Sequence, residues 1–112
     1  MKKIALFAAF LTAAGPAFAG ASNFMLINGT GAGLSELSIR RAGTQDWKSL
    51  GAAPAAGARS SVNFSDPDCA FDIKANVAGK GAVTWAGVNL CDVKSVTLNH
   101  GGSEGAWVDY DQ

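Results

Sequence analysis

The chain has 112 residues, with nine Lys/Arg, nine Asp/Glu, a single His and two cysteines, and its formal net charge is zero. Its basic residues are scattered among acids and form no stripe, so nucleic acid and anionic lipid are poor fits as partners. After the first twenty residues no apolar run reaches the length a spanning helix needs, so no membrane span is expected.

The chain starts Met1-Lys2-Lys3, runs apolar from Ile4 to Leu11 and carries Ala17-Phe18-Ala19 before Gly20. A basic start, a short apolar run and an A-x-A site make a secretory signal peptide over residues 1–19. No twin arginine precedes the apolar run and no cysteine follows the cleavage point, which favours general secretion over the twin-arginine route and over a lipid anchor. Residues 20–112 then form one small β domain. Without Lys2 and Lys3 it holds seven basic residues against nine acidic ones, a net charge of −2.

Ala21-Ser22 reads as a frayed terminus, and Asn23 to Asn28 as a first apolar strand. Asn28-Gly29-Thr30-Gly31-Ala32-Gly33 is turn chemistry, because Asn and Gly tolerate the left-handed region. A phosphate loop is the competing reading, but the P-loop lysine is missing and no helix follows. Leu34 to Arg41 alternates Leu37 and Ile39 with Glu36, Ser38 and Arg40, a returning strand. Ala42 to Leu50 is polar around Trp47. A helical turn from Thr44 would put Trp47 and Leu50 on its inner side, with Trp47 capping the core; the other reading makes Trp47 a surface anchor for a ligand.

Gly51 to Gly57 is a connector in which Pro54 excludes a central strand. Ala58, Ser60, Val62 and Phe64 form the weak inner face of the next strand, and Ser65-Asp66-Pro67-Asp68 turns the chain. Cys69, Phe71, Ile73, Ala75 and Val77 recur at every second position, with Asp72 and Lys74 on the wet side. Ala78 to Gly81 is a hairpin turn. Val83 and Trp85 restart an apolar face, and Val88 and Leu90 continue it in the other phase, so Gly87 marks a bulge or bend. The hairpin returns Cys91 towards Cys69. Val96 and Leu98 belong to another strand, His100 to Gly105 read as a flexible loop, and Trp107 to Tyr110 as a last strand or, over about residues 101–112, a loose tail.

Six to eight short strands, glycine-rich turns and almost no helical periodicity specify an all-β fold: a small antiparallel β-sandwich or flattened barrel. Parallel pairing needs crossovers, usually helical, and none is visible. Two cysteines in an exported chain pair, so one disulfide, Cys69–Cys91, is expected. The chain-entropy model gives such a bridge roughly 3 kcal/mol.

Asn28-x-Thr30-Gly31, Cys69-x-Phe71-Asp72-Ile73-Lys74 and Val88-Asn89-Leu90-Cys91, with Trp47, Leu50, Phe64, Gly81 and Trp85 between them, carry a resemblance. The chain resembles a family of small exported proteobacterial proteins of uncharacterised function, with the pattern N-x-T-G, C-x-[WF]-D-[IL]-[RK] and [VI]-[ND]-L-C. The resemblance implies a secreted β domain with one disulfide and no activity that can be transferred.

The expected chemistry is sparse. His100 is the only histidine and G-x-S-x-G is absent, so a weak hydrolase centred on His100 is the least favoured reading. Asp66 and Asp68 are weak calcium candidates without the remaining ligands of a calcium loop. No cofactor and no catalytic residue is expected. Trp47, Trp107 and Tyr110 are the candidate binding surface. The expectation is a non-catalytic binding module in the periplasm or outside the cell, acting through a protein–protein interface, with an envelope polysaccharide as the alternative partner.

Overall fold

A computed structural model describes residues 20–112; the expected leader, residues 1–19, lies outside the described residues. The fold is a β-sandwich of two four-stranded sheets. In chain order the strands are β1 (Ala21–Asn28), β2 (Leu34–Arg41), β3 (Lys48–Ser49), β4 (Arg59–Asp66), β5 (Ala70–Val77), β6 (Gly81–Asn89), β7 (Ser95–Gly101) and β8 (Gly105–Asp111). The first sheet runs β4-β1-β7-β8 and the second β3-β2-β5-β6.

Period-two alternation drives this arrangement. On the first sheet Phe24, Leu26, Val62, Val96 and Leu98 face inward; on the second, Leu37, Ile39, Phe71, Ile73, Ala75, Val77, Trp85 and Val88 do, and all are buried. Phe24, Phe64 and Phe71 link the layers edge to face, with centroids 6.1 and 5.2 Å apart. From the second sheet, Trp85 Nε1 donates across the sandwich to the Asn99 carbonyl of β7 at 2.8 Å.

Two bulges set the phase of the second sheet. Between β5 and β6 the register slips, so that Ala86 and Gly87 face the single residue Asp72. Gly87 has φ +67° there, which moves the inner face from Trp85 to Val88, as the sequence pattern required. The second bulge, at Glu36 with φ 53° between Ser35 and Ser38, has no glycine to announce it.

Several expectations need correction. Ala21 is not frayed: it is fully buried and pairs with Asp66. The pairing of β1 with β7 is parallel. It arises because the chain crosses to the second sheet for the β5–β6 hairpin before returning as β7, a crossover made without a helix. Residues 100–105 are not a flexible loop. His100 and Gly101 end β7, Gly102–Glu104 form a 3-10 turn and Gly105 starts β8. The C-terminal segment is therefore a strand, paired with β7 from Ser95↔Asp111 to Gly101↔Gly105, rather than a loose tail. No helix among the described residues is long and apolar enough to cross a membrane.

Candidate functional site

Trp47 lies in neither a helix nor the core. It stands in the connector before β3, half-buried, with its ring on the outer face of the second sheet. Arg40 Cζ is 4.4 Å and Lys74 Nζ 4.2 Å from the ring centroid. Ile39 and Ile73 point inward, so Arg40 and Lys74 point outward and offer the ring two cations. Beneath them Asp72 faces outward as the alternation requires, yet it is only 6 % exposed. It accepts from Arg40 Nε at 2.9 Å and from the Gly87 amide at 3.0 Å. Burial pushes the Asp72 carboxyl up, but the Gly87 amide and then Arg40 outweigh it and hold it below its ordinary 3.8.

At the end of β2, Arg41 grips both calcium candidates. Its guanidinium lies 3.1 Å from Asp66 and 3.2 Å from Asp68, and Asp66 also accepts from the Asp68 amide at 2.9 Å. Desolvation raises Asp66, yet the Asp68 amide and Arg41 bring it below the usual carboxylate value. The pair is thus a clasp between the two sheets, and among the described residues no three His, Cys, Asp or Glu side chains gather as metal ligands. The adjoining cleft of about 240 Å3 is lined by Arg41, Asp46, Lys48, Asp66 and Phe71. Its charges pair with one another, and its Asp66 carboxyl is shifted away from the neutral range in which a general acid works.

His100 shares the inner side of β7 with Val96 and Leu98. Its Nδ1 is buried without a hydrogen-bond partner, so no carboxylate orients the ring through that nitrogen as a catalytic triad requires. The expected disulfide is present between Cys69 and Cys91.

Trp107 and Tyr110 are the exposed large hydrophobic residues among the described residues, at 39 % and 42 %. Both belong to β8, an edge strand with a neighbour on one side only. They point to opposite faces. Trp107 pairs with Asn99 on the outer face, and its ring covers Gly101, 3.6 Å from where a β-carbon would stand. Tyr110 faces inward, and its hydroxyl accepts from the Asn89 amide of β6 at 2.9 Å, closing the seam between the two sheets. The three candidate aromatics therefore do not form one platform: Trp47 is on the outer face of one sheet, Trp107 on that of the other, and Tyr110 between them at the side. Arg40, Asp72 and Asn89 were not candidates in the sequence; each depends on a cross-strand or cross-sheet neighbour that strand alternation does not specify.

No family model matches the chain, and no curated protein or solved structure matches it.

Proposed function

We propose that this protein is an exported, non-catalytic binding domain, working in the periplasm or outside the cell, that engages another protein through the free edge of β8. The observation that carries this reading is the coincidence of an unpaired strand edge with the most exposed tryptophan. A sheet edge offers unsatisfied amides and carbonyls, and a partner strand adds to it through main-chain bonds. Trp107 gives such a strand an aromatic anchor, whereas the Trp47 ring already carries two cations and the Tyr110 hydroxyl already holds β6.

The disulfide supports export, since such bonds persist in oxidising compartments. The paired charges around the cleft and the unoriented His100 support a non-catalytic role. The test is photo-crosslinking in the exporting cell from probes placed at Ala106 on β8 and at Thr84 on β6. A defined adduct from Ala106 that disappears in the Trp107→Ala variant is expected. Envelope polysaccharide that shifts the tryptophan fluorescence, with no protein adduct from Ala106, would replace this reading with glycan binding.

A further inference from the structure

The side chains that flank the free edge of β8 specify the kind of strand it accepts. Trp107, Asp109 and Asp111 occupy alternate positions and share the outer face; Ala106, Val108 and Tyr110 share the inner one. Asp109 accepts from the Asn99 amide side chain at 3.0 Å, a neutral partner that leaves its charge in place. Glu104 adds a third acid in the turn that leads into β8, and from Ser95 to Gln112 there is no Lys or Arg. Among the described residues the aspartates that form ion pairs, Asp46, Asp66, Asp68 and Asp72, pair with Arg40, Arg41 or Lys48 around β2 and β3, far from this edge in the topology. The nearest basic residue in sequence, Lys94, gives its main-chain amide to the Asp111 carbonyl, and its side chain makes no ion pair among the described residues.

A strand laid against β8 would place every second side chain beside Trp107, Asp109 and Asp111. All three favour a cation there: two through opposite charge across the strands and one through the face of the indole. The intervening side chains would meet Ala106, Val108 and the Tyr110 ring, which favour apolar groups. We infer that the partner is a protein segment in extended conformation with alternating basic and apolar residues, added as a fifth strand to the first sheet. This rests on β8 being the interface, and it goes beyond that by naming the chemistry of the partner.

The test uses synthetic heptapeptides of alternating Lys–Val, Gln–Val and Glu–Val, with amide exchange read on the exported, disulfide-bonded protein. The Lys–Val peptide is expected to protect the amides of β8 and to bind tightest, with affinity falling as salt is added. Replacing Asp109→Asn and Asp111→Asn together, which keeps an acceptor for Asn99, is expected to weaken it roughly three- to tenfold. Trp107→Ala is expected to weaken it about tenfold. If the Gln–Val peptide protects β8 equally well, the basic class is wrong while the edge reading stands. If protection falls on β4 or β6, or on no strand, the edge reading fails with it. If β8 becomes protected with rising protein concentration alone, its partner is a second copy and the inference is overturned.

Discussion

Asn28 ends β1 with its side chain fully engaged. Nδ2 donates to the carbonyls of Ala32 and Pro54 at 2.8 and 3.1 Å, and Oδ1 accepts from the amide and hydroxyl of Thr30 at 3.0 and 2.6 Å. The residue itself is fully buried, so its side-chain amide has no water to turn to in exchange. The N-x-T sequence thus serves the fold, because one amide fixes both the turn into β2 and the connector before β4. Asn28→Ala should cost roughly 2–3 kcal/mol, because it leaves the buried Pro54 carbonyl without this donor and the Thr30 amide without its acceptor, while the Ala32 carbonyl keeps the Thr30 hydroxyl. Asn28→Asp should cost more, because it sets a buried carboxylate against two carbonyl oxygens; a denaturant titration in which Asp is the milder change would refute this account. Asp72 makes the opposite case, a charge the structure favours. Its carboxyl is held below the ordinary 3.8 by the Gly87 amide and Arg40 against the effect of burial. Its contribution is therefore complete above about pH 4 and is lost as pH falls through the lower folded value. Melting temperature should drop on acidification from about pH 4 downward, and Asp72→Asn, which keeps an acceptor for Gly87, should make that drop shallower while lowering stability at pH 7. An unchanged acid profile in the variant would assign the acid sensitivity elsewhere, with Asp66 the next group to examine.

At the level of whole strands, the edges distinguish binding from structure. β6 is unpaired on one side and carries no charged residue along Gly81–Asn89, an arrangement that invites unwanted pairing. Two features blunt it: the bulge opposite Asp72 twists its last third, and Tyr110 occupies the Asn89 amide. Tyr110→Phe should leave the fold intact, since the ring stays in place and the lost bond is exposed and worth about 1 kcal/mol. The Asn89 amide, however, should exchange several times faster, and an unaltered rate would mean the hydroxyl does not guard that edge. These strands also show what period-two patterning conveys. Phe71 to Val77 announced β5, and Gly87 announced the bulge, because a phase change at a glycine has few other causes. The bulge at Glu36 stayed hidden because its left-handed backbone is taken by a residue that rarely adopts it. The parallel neighbour of β1 stayed hidden because alternation reports which face is buried, not which strand lies beside it. Of the two readings of Trp47, the helical, core-capping one fails for a related reason: the connector around it has no periodicity, and its position depends on Arg40 and Lys74, which only the β2–β5 pairing brings together. Of the candidate surface, the sequence showed the aromatic residues but not the edge that gives Trp107 its context.

Across the whole molecule, the fastenings are spread over both sides of the sandwich. On the side of β4 and β2, Arg41 clasps Asp66 and Asp68; on the side of β8 and β6, Tyr110 closes the seam; Trp85 joins the layers through the middle. The disulfide joins no two sheets. Cys69 immediately precedes the strand that Cys91 follows by two residues, so the bridge closes the β5–β6 hairpin at the end opposite its turn, across a sequence separation of 22. In the folded protein that hairpin is already held in register from Ala70↔Asn89 to Val77↔Gly81, and the bond adds little to its geometry. Its effect falls on the unfolded chain, whose freedom it restricts by roughly 3 kcal/mol in the chain-entropy model. Reduction should then lower the melting temperature by roughly 12–24 °C for a domain of this size while leaving the native amide protection within β5 and β6 in its original pattern. Cys69 is exposed, so a reductant can reach the bond without unfolding the domain, and both measurements can be made on the same reduced sample. Should the protection pattern of the hairpin collapse under native conditions, the bond would be holding the folded strands together, and the pairing of β5 with β6 would be weaker than its register implies.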